Sequence, residues 1–155
     1  MSDFYTSLIP TDVTWQPASA AAAEAAAYVR RVFPDPDGVQ QSVTVGFHDR
    51  ITAVDAGENV QQITCPRCDR DIALDWYQDL LEETGGEFDS VLVTVPCCET
   101  AVALDTLTFD WPSGFARFEI AVANPARPEF AFTPDEIRAV EAILGHPLRQ
   151  VVAHI

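Results

Sequence analysis

The sequence predicts an α+β fold, and three observations lead to this prediction. Short β-branched or alternating runs, which are typical of strands, occur near both ends and in the middle of the chain. Two segments outside the cysteine region space their apolar residues as an amphipathic helix does. The four cysteines of the 155-residue chain fall into two pairs between these elements. The length fits one domain of ordinary size, or one core domain with a small insert.

The first part of the chain predicts a strand, a helix and a hairpin. Residues 4–9 are aromatic and β-branched, which favours a strand. Residues 20–33 are rich in alanine, the strongest helix former, and predict a helix. Residues 42–47 and 50–54 predict the two strands of a hairpin, with residues 48–49 as its turn.

The last part of the chain predicts a strand, a helix and a strand. Residues 115–122 alternate between apolar and other side chains, as a half-buried strand does. Thr133, Pro134 and Glu136 form a helix start, in which Thr133 caps and Glu136 completes a capping box. Residues 148–155 predict the final strand.

This order of elements predicts a ferredoxin-like split βαβ sandwich when the hairpin is counted as one unit. Residues 1–59 and 108–155 would form the core domain. Residues 60–107 would form a zinc-ribbon-like insert between the second and third strands. Within the insert, residues 72–83 predict a helix and residues 90–95 a strand.

The four cysteines predict one structural metal site. Cys65 and Cys68 form a Cys-Pro-Arg-Cys pair, and after 28 further residues Cys97 and Cys98 stand side by side behind a proline. Zinc takes four thiolate ligands in tetrahedral geometry when its role is structural. We therefore predict that these four cysteines bind one structural Zn²⁺.

The second pair leaves alternatives for the fourth ligand. Adjacent side chains point apart on an extended backbone, so one cysteine could pack as a small apolar residue. His48, Asp69 and Glu99 would then be candidate ligands, with His146 and His154 more remote in sequence. Asp69 and Glu99 directly follow the two pairs, at positions where many zinc knuckles have a glycine with positive φ.

Redox chemistry is the main alternative for the cysteines. The Cys-Pro-Arg-Cys motif at residues 65–68 resembles the glutaredoxin active site, and residues 94–96 resemble the cis-proline segment of that family. The resemblance implies a thiol-disulfide oxidoreductase with Cys65 as its nucleophile. Structural disulfides are not expected in a cytoplasmic protein.

The charge limits the possible partners. The chain has 24 acidic residues against nine arginines and no lysine, a net charge of −15. Such a surface repels nucleic acids and anionic membranes and attracts basic proteins. No apolar run is long enough to cross a membrane, and the start lacks the features of a signal peptide, so we expect a cytoplasmic protein.

Several longer motifs together resemble a group of uncharacterised bacterial proteins from GC-rich genomes. They are Cys-Pro-x-Cys at 65–68, Pro-Cys-Cys at 96–98, Trp-Pro-x-Gly-Phe-Ala-Arg-Phe at 111–118, Pro-Leu-Arg at 147–149 and Ala-His-Ile at 153–155. The resemblance implies a zinc-ribbon-like element but no particular activity. Members of the group more often have glycine at positions 69 and 99.

The sequence contains no zinc-protease, nucleophile-elbow, Walker or dinucleotide motif, so enzymatic activity is not expected. The leading hypothesis is a non-enzymatic, zinc-stabilised module that binds another protein, such as an immunity or antitoxin-like neutraliser of a basic partner. The alternative is the oxidoreductase described above. A third hypothesis is a small-molecule enzyme, which a deep pocket with carboxylates and His48 would favour.

Overall fold

A computed structural model of the chain describes residues 3–35, 42–54, 60–111 and 113–154. Over these residues the fold is α+β, with three α-helices and antiparallel sheets. The helices are α1 (Ser19–Val32), α2 (Leu74–Thr84) and α3 (Pro134–Leu144). The strands are β1 (Phe4–Pro10), β2 (Ser42–Val54), β3 (Ile63–Thr64), β4 (Asp71–Ile72), β5 (Glu87–Phe88), β6 (Leu92–Thr94), β7 (Ala101–Ala103), β8 (Thr108–Phe109), β9 (Gly114–Ala123) and β10 (Leu148–His154).

The main sheet has five strands in the order β10-β1-β9-β2-β5, and all its neighbours are antiparallel. The long central pairing joins β9 to β1 on one side and to β2 on the other. The fifth strand, β5, comes from the segment predicted as the insert and pairs with β2 through Ile51 and Phe88. The predicted domain boundaries stay a prediction.

The predicted hairpin over residues 42–54 is wrong. β2 is one continuous strand that pairs with β9 along its length, and the register shifts between Phe47 and Thr52. Two-residue hairpin turns favour Asn-Gly or Asp-Gly, which His48-Asp49 does not provide. The extra residues form a bulge instead. The side chains of Gln16 and Arg117 both donate to the His48 carbonyl oxygen, at 3.0 Å and 3.2 Å.

Helices α1 and α3 cover one face of the main sheet. Because side chains alternate along a strand, Leu8 of β1 and Phe118 of β9 point toward these helices. Small residues on α1, such as Ala25, let the helix lie close to the sheet, and Val140 of α3 fills the same core. The capping box predicted at the start of α3 is confirmed, since the Thr133 side chain accepts the N–H of Glu136 and the reverse bond is also present.

A second core lies beside the sheet and holds the cysteines. It is built on short strands, with β3 pairing to β4 and β8 and β6 pairing to β7. Tyr77 of α2 and Phe88 of β5 are buried in it. Ile51 and Phe115, which lie on the main sheet, belong to the same core. None of the helices in the described ranges is long and apolar enough to span a lipid bilayer.

Candidate metal centre

The first cysteine pair lies on a tight turn, the first knuckle (residues 65–69), between β3 and β4. The N–H of Cys65 donates to the Arg70 carbonyl at 2.9 Å, and the N–H of Asp69 donates back to the Cys65 carbonyl at 3.0 Å. Asp69 adopts a φ of 59°, which closes the turn. The N–H of Arg67 lies 3.4 Å from Cys65 Sγ and donates to it. The turn thereby offers Cys65 and Cys68 on one side.

The second pair lies on a turn with the same backbone pattern, the second knuckle (residues 95–99), between β6 and β7. The N–H of Val95 donates to the Thr100 carbonyl at 3.0 Å, and the N–H of Glu99 donates to the Val95 carbonyl at 3.0 Å. Glu99 has a φ of 54°, close to that of its counterpart in the first knuckle. The two turns are therefore equivalent, and Cys98 corresponds to Cys68.

The equivalence explains how adjacent cysteines can serve one site. Val95 occupies the position that Cys65 has in the first knuckle, and it is fully buried like Cys65. Cys97 occupies the position of Arg67, two residues after Val95. It supplies the sulfur that Val95, at the position of Cys65, does not have. The two turns share the pattern Thr-x-Pro-x-Cys-acidic, at residues 64–69 and 94–99. The repeat is hard to recognise in the sequence, because only one cysteine of each pair aligns.

The four sulfurs lie together. All four Sγ atoms are within 4.8 Å of one another. Cys68 Sγ is 3.4 Å from Cys97 Sγ, Cys65 Sγ is 3.9 Å from Cys98 Sγ, and the adjacent pair is separated by 4.0 Å. Four sulfurs arranged as a tetrahedron around an ion at about 2.3 Å would be roughly 3.8 Å apart. The separations of 3.4, 3.9 and 4.0 Å lie near that value, and the described cluster could hold a metal ion.

The environment of the cluster differs between its members. Burial opposes ionisation of Cys65, but the N–H groups of Cys68 and Arg67 outweigh it and, with the neighbouring thiols, lower the pKa of Cys65 to about 7. Burial, the surrounding thiols and the charge of Cys65 raise the pKa of Cys97 to about 12. In the metal-free cluster the Cys65 thiol thus ionises more readily than the Cys97 thiol, and a cation that enters must displace the Cys97 proton.

The other predicted ligand candidates lie elsewhere or point away. His48 contacts Glu119 on the main sheet at 3.2 Å, and His146 stacks on Trp15 with ring centroids 4.3 Å apart. Asp69 and Glu99 are exposed on the turns, where their backbone conformation serves the knuckles. The side chain of His154 lies outside the described part of the chain. The group of possible ligands found among the described residues consists of the four cysteines.

No protein-family model, curated protein or solved structure matches the chain.

The four sulfur ligands decide what the site can do chemically. Four thiolates are soft ligands that suit Zn²⁺, which prefers a tetrahedral sulfur set, and also iron. Cys65 is completely buried and the other three are partly buried within the second core, so the protein itself fills the space around the sulfurs.

The equivalence of the knuckles can be tested by moving one sulfur. In a Cys97→Ser variant the site keeps three thiolates. We expect its zinc affinity to fall at least tenfold, because the loss of a residue that merely supports a ligand already lowers metal affinity by about 10–100-fold. Adding Val95→Cys to this variant restores a sulfur at the position equivalent to Cys65 and is expected to recover one zinc per chain. Elemental analysis and competition with a chromophoric chelator measure both. Failure of the double variant to bind zinc would show that the turns are not equivalent.

Proposed function

We propose that this protein is a non-enzymatic, cytoplasmic module in which one structural Zn²⁺ holds a zinc-ribbon-like insert on a ferredoxin-like sandwich, and that the acidic insert binds another protein. The observation that carries the proposal is the convergence of four sulfurs from two equivalent knuckles. The strand order β10-β1-β9-β2, with α1 and α3 on one face, supports the split βαβ arrangement of the core.

The closed nature of the cluster supports a structural rather than catalytic ion. Catalytic zinc sites keep a coordination position open for water or substrate. Here four protein sulfurs lie within 4.8 Å of one another, and the innermost, Cys65, is completely buried. The zinc ion would then join β3–β4 to β6–β7, two strand pairs that are otherwise too short to be stable alone.

The surface of the insert supports a binding role. Residues 60–104 carry nine acidic side chains and two arginines, a net charge of −7. On α2, Asp75, Asp79, Glu82 and Glu83 are all exposed, and the helix contains no basic residue. Glu82 and Glu83 stand in its last turn, where the helix dipole disfavours negative charge by about 0.3–1 kcal/mol each. These acidic side chains therefore do not stabilise the helix, and as exposed groups they are accessible to a binding partner.

The chemistry of this surface selects the kind of partner. An exposed acidic helix attracts basic protein surfaces and repels the phosphates of nucleic acids. Leu92, which is 62% exposed on β6, adds an apolar contact on the same insert. A basic toxin neutralised by an immunity or antitoxin-like protein is one concrete partner of this kind. The bacterial group that the sequence resembles implies no activity that would compete with this proposal.

One observation favours the redox alternative, namely the pKa of Cys65, which is lowered to about 7. Two features oppose it. Cys65 is completely buried, and its turn joins two strands instead of opening a helix, whose N-terminus would stabilise a thiolate. Metal analysis with thiol titration separates the two functions: one zinc and four masked thiols support the structural site, whereas a reactive metal-free pair supports oxidoreductase chemistry.

The binding role is tested by capture with matched charge variants. Zinc-loaded protein is expected to retain a basic protein from a native lysate of the source cells at low salt and to lose it at high salt. The triple variant Asp79→Asn, Glu82→Gln, Glu83→Gln should lose this partner. The control triple Glu24→Gln, Asp49→Asn, Glu129→Gln removes the same charge from exposed sites on the core and should retain it. Equal loss in both triples, or no partner at low salt, would contradict the proposal.

A further inference from the structure

The face of the main sheet opposite α1 and α3 contains a cavity. Side chains that alternate with the core residues of β1 and β9 point to this face, among them Ser7 and Ala121. The cavity has a volume of about 380 Å³, within the range of small-molecule sites. Its floor is open because small side chains from four strands meet there, namely those of Ser7, Ala53, Ala121 and Ala153.

One carboxylate marks the wall of this cavity. Glu119 is the charged residue among the described side chains that line it, and its side chain is 23% exposed. Its Oε1 lies 3.2 Å from Nε2 of His48. Tyr5 and Ser7, whose side chains carry hydroxyl groups, also line the cavity, and Ser7 is almost fully buried. The residues that line the cavity thus combine small apolar side chains with one carboxylate and two hydroxyl-bearing side chains.

The chain builds this arrangement with two local features. The bulge in β2 follows Phe47, and Gln16 and Arg117 fix the backbone of His48 by donating to its carbonyl oxygen. Bulges of this kind redirect side chains and are frequent beside functional sites. Gly46 leaves room for the imidazole ring, because a Cβ there would lie 3.2 Å from two of its atoms. The ring is therefore held against Glu119.

We propose that this cavity is a binding site for a small organic cation, an amine carried on an apolar body. The amine would donate to the Glu119 carboxylate, and the apolar body would cover the alanine floor. A charge-assisted hydrogen bond in a partly buried site supplies both affinity and orientation. The net charge of −15 further favours cations and opposes anionic ligands. This site is separate from the cysteines, so it stands independently of the zinc-dependent function.

The test uses zinc-loaded full-length protein and simple amines of matched shape. Benzylamine, cyclohexylamine and n-hexylamine are titrated while backbone amide resonances are recorded, with the corresponding neutral alcohols as the comparison. At least one amine is expected to give saturable shifts centred on Ser7, Glu119 and Ala121. Glu119→Gln should weaken its binding roughly tenfold or more, as loss of a charged hydrogen bond does. Ala121→Leu, which fills the cavity without changing charge, should abolish it.

Matched controls separate this site from general attraction to an acidic protein. Glu24→Gln and Ala23→Leu make the same two changes on the exposed side of α1 and should bind the amine as the wild type does. Saturation by none of the amines, equal binding of amine and alcohol, or equal losses in Glu24→Gln and Glu119→Gln would overturn the proposal. So would a dimer that forms through this face and covers the cavity, which sedimentation would detect.

Discussion

Removing zinc from the loaded protein is expected to unfold the region from β3 to β8 (residues 63–109) while β1, β9 and β10 keep their pairing. The strands of this region contain two or three residues each, and Tyr77 is the buried residue of α2. Such short pairs do not offset the conformational entropy of ordering the chain. A structural zinc ion contributes about 10–16 kcal/mol to folding in zinc-finger peptides, so its loss should be decisive here.

Hydrogen exchange measured by mass spectrometry checks this expectation. Amides of residues 63–109 should exchange rapidly after chelation, whereas those of β1 and β9 should stay protected. Cys98→Ala should reproduce the effect without a chelator, and Thr94→Ala, at an exposed position at the end of β6, should not. Acid should act like the chelator, because thiolates must take up protons as the pH falls and then release the metal. Unchanged protection after zinc removal would contradict a structural role for the ion.

The main elements of the core could be predicted because their sequence patterns are local. Period-two alternation marked β9, alanine content marked α1, and the capping box marked the start of α3. The bulge in β2 could not be predicted, since its stability comes from Gln16, which is 32 residues away in sequence, and from Arg117 of the facing strand. The secondary-structure propensity of a short stretch of sequence carries no information about such long-range contacts.

The candidate site divides in the same way. Residue type and pairing were enough to predict that the four cysteines belong together. The positive φ of Asp69 and Glu99 was not predicted, because non-glycine residues rarely adopt it and local propensity argues against it. The repeated hydrogen bonds of each knuckle hold those residues there. The cavity beside Glu119 depends on which residues of separate strands become neighbours, and this register is not visible in the sequence.

Arg127 is a residue of the core whose loss should cost much stability. Its guanidinium forms two bonds of 2.7 Å with the Glu136 carboxylate, and the exposed fractions of the two side chains are 15% and 14%. It also donates to three backbone carbonyls, at Val32, Glu129 and Ala131. The group lies 3.7 Å over the Phe33 ring. It thereby joins the end of α1, the loop after β9 and the start of α3.

The Arg127→Met variant should lose about 3–5 kcal/mol of unfolding free energy, because it leaves the Glu136 carboxylate without its partner in a mostly buried position. Arg138→Met provides the matched control. Arg138 pairs with Asp135 at the exposed surface of the same helix, so its loss should cost about 0–1 kcal/mol. Adding Glu136→Gln to Arg127→Met should recover part of the loss, since the amide carries no charge and can still cap α3.

The pH dependence of the stability difference between the wild type and Arg127→Met identifies the cause of that difference. Hydrogen bonds from Arg127, opposed by burial and assisted by the N–H of Thr133, lower the pKa of Glu136 below its ordinary value of 4.5. A lowered carboxyl pKa gives stability that is present above pH 4.5 and is lost as the pH falls through the folded-state pKa. Denaturant titrations should therefore show the wild type and Arg127→Met converging in acid. A constant difference at every pH would mean that Arg127 stabilises the core through its stacking and carbonyl contacts, and that the ion pair contributes little.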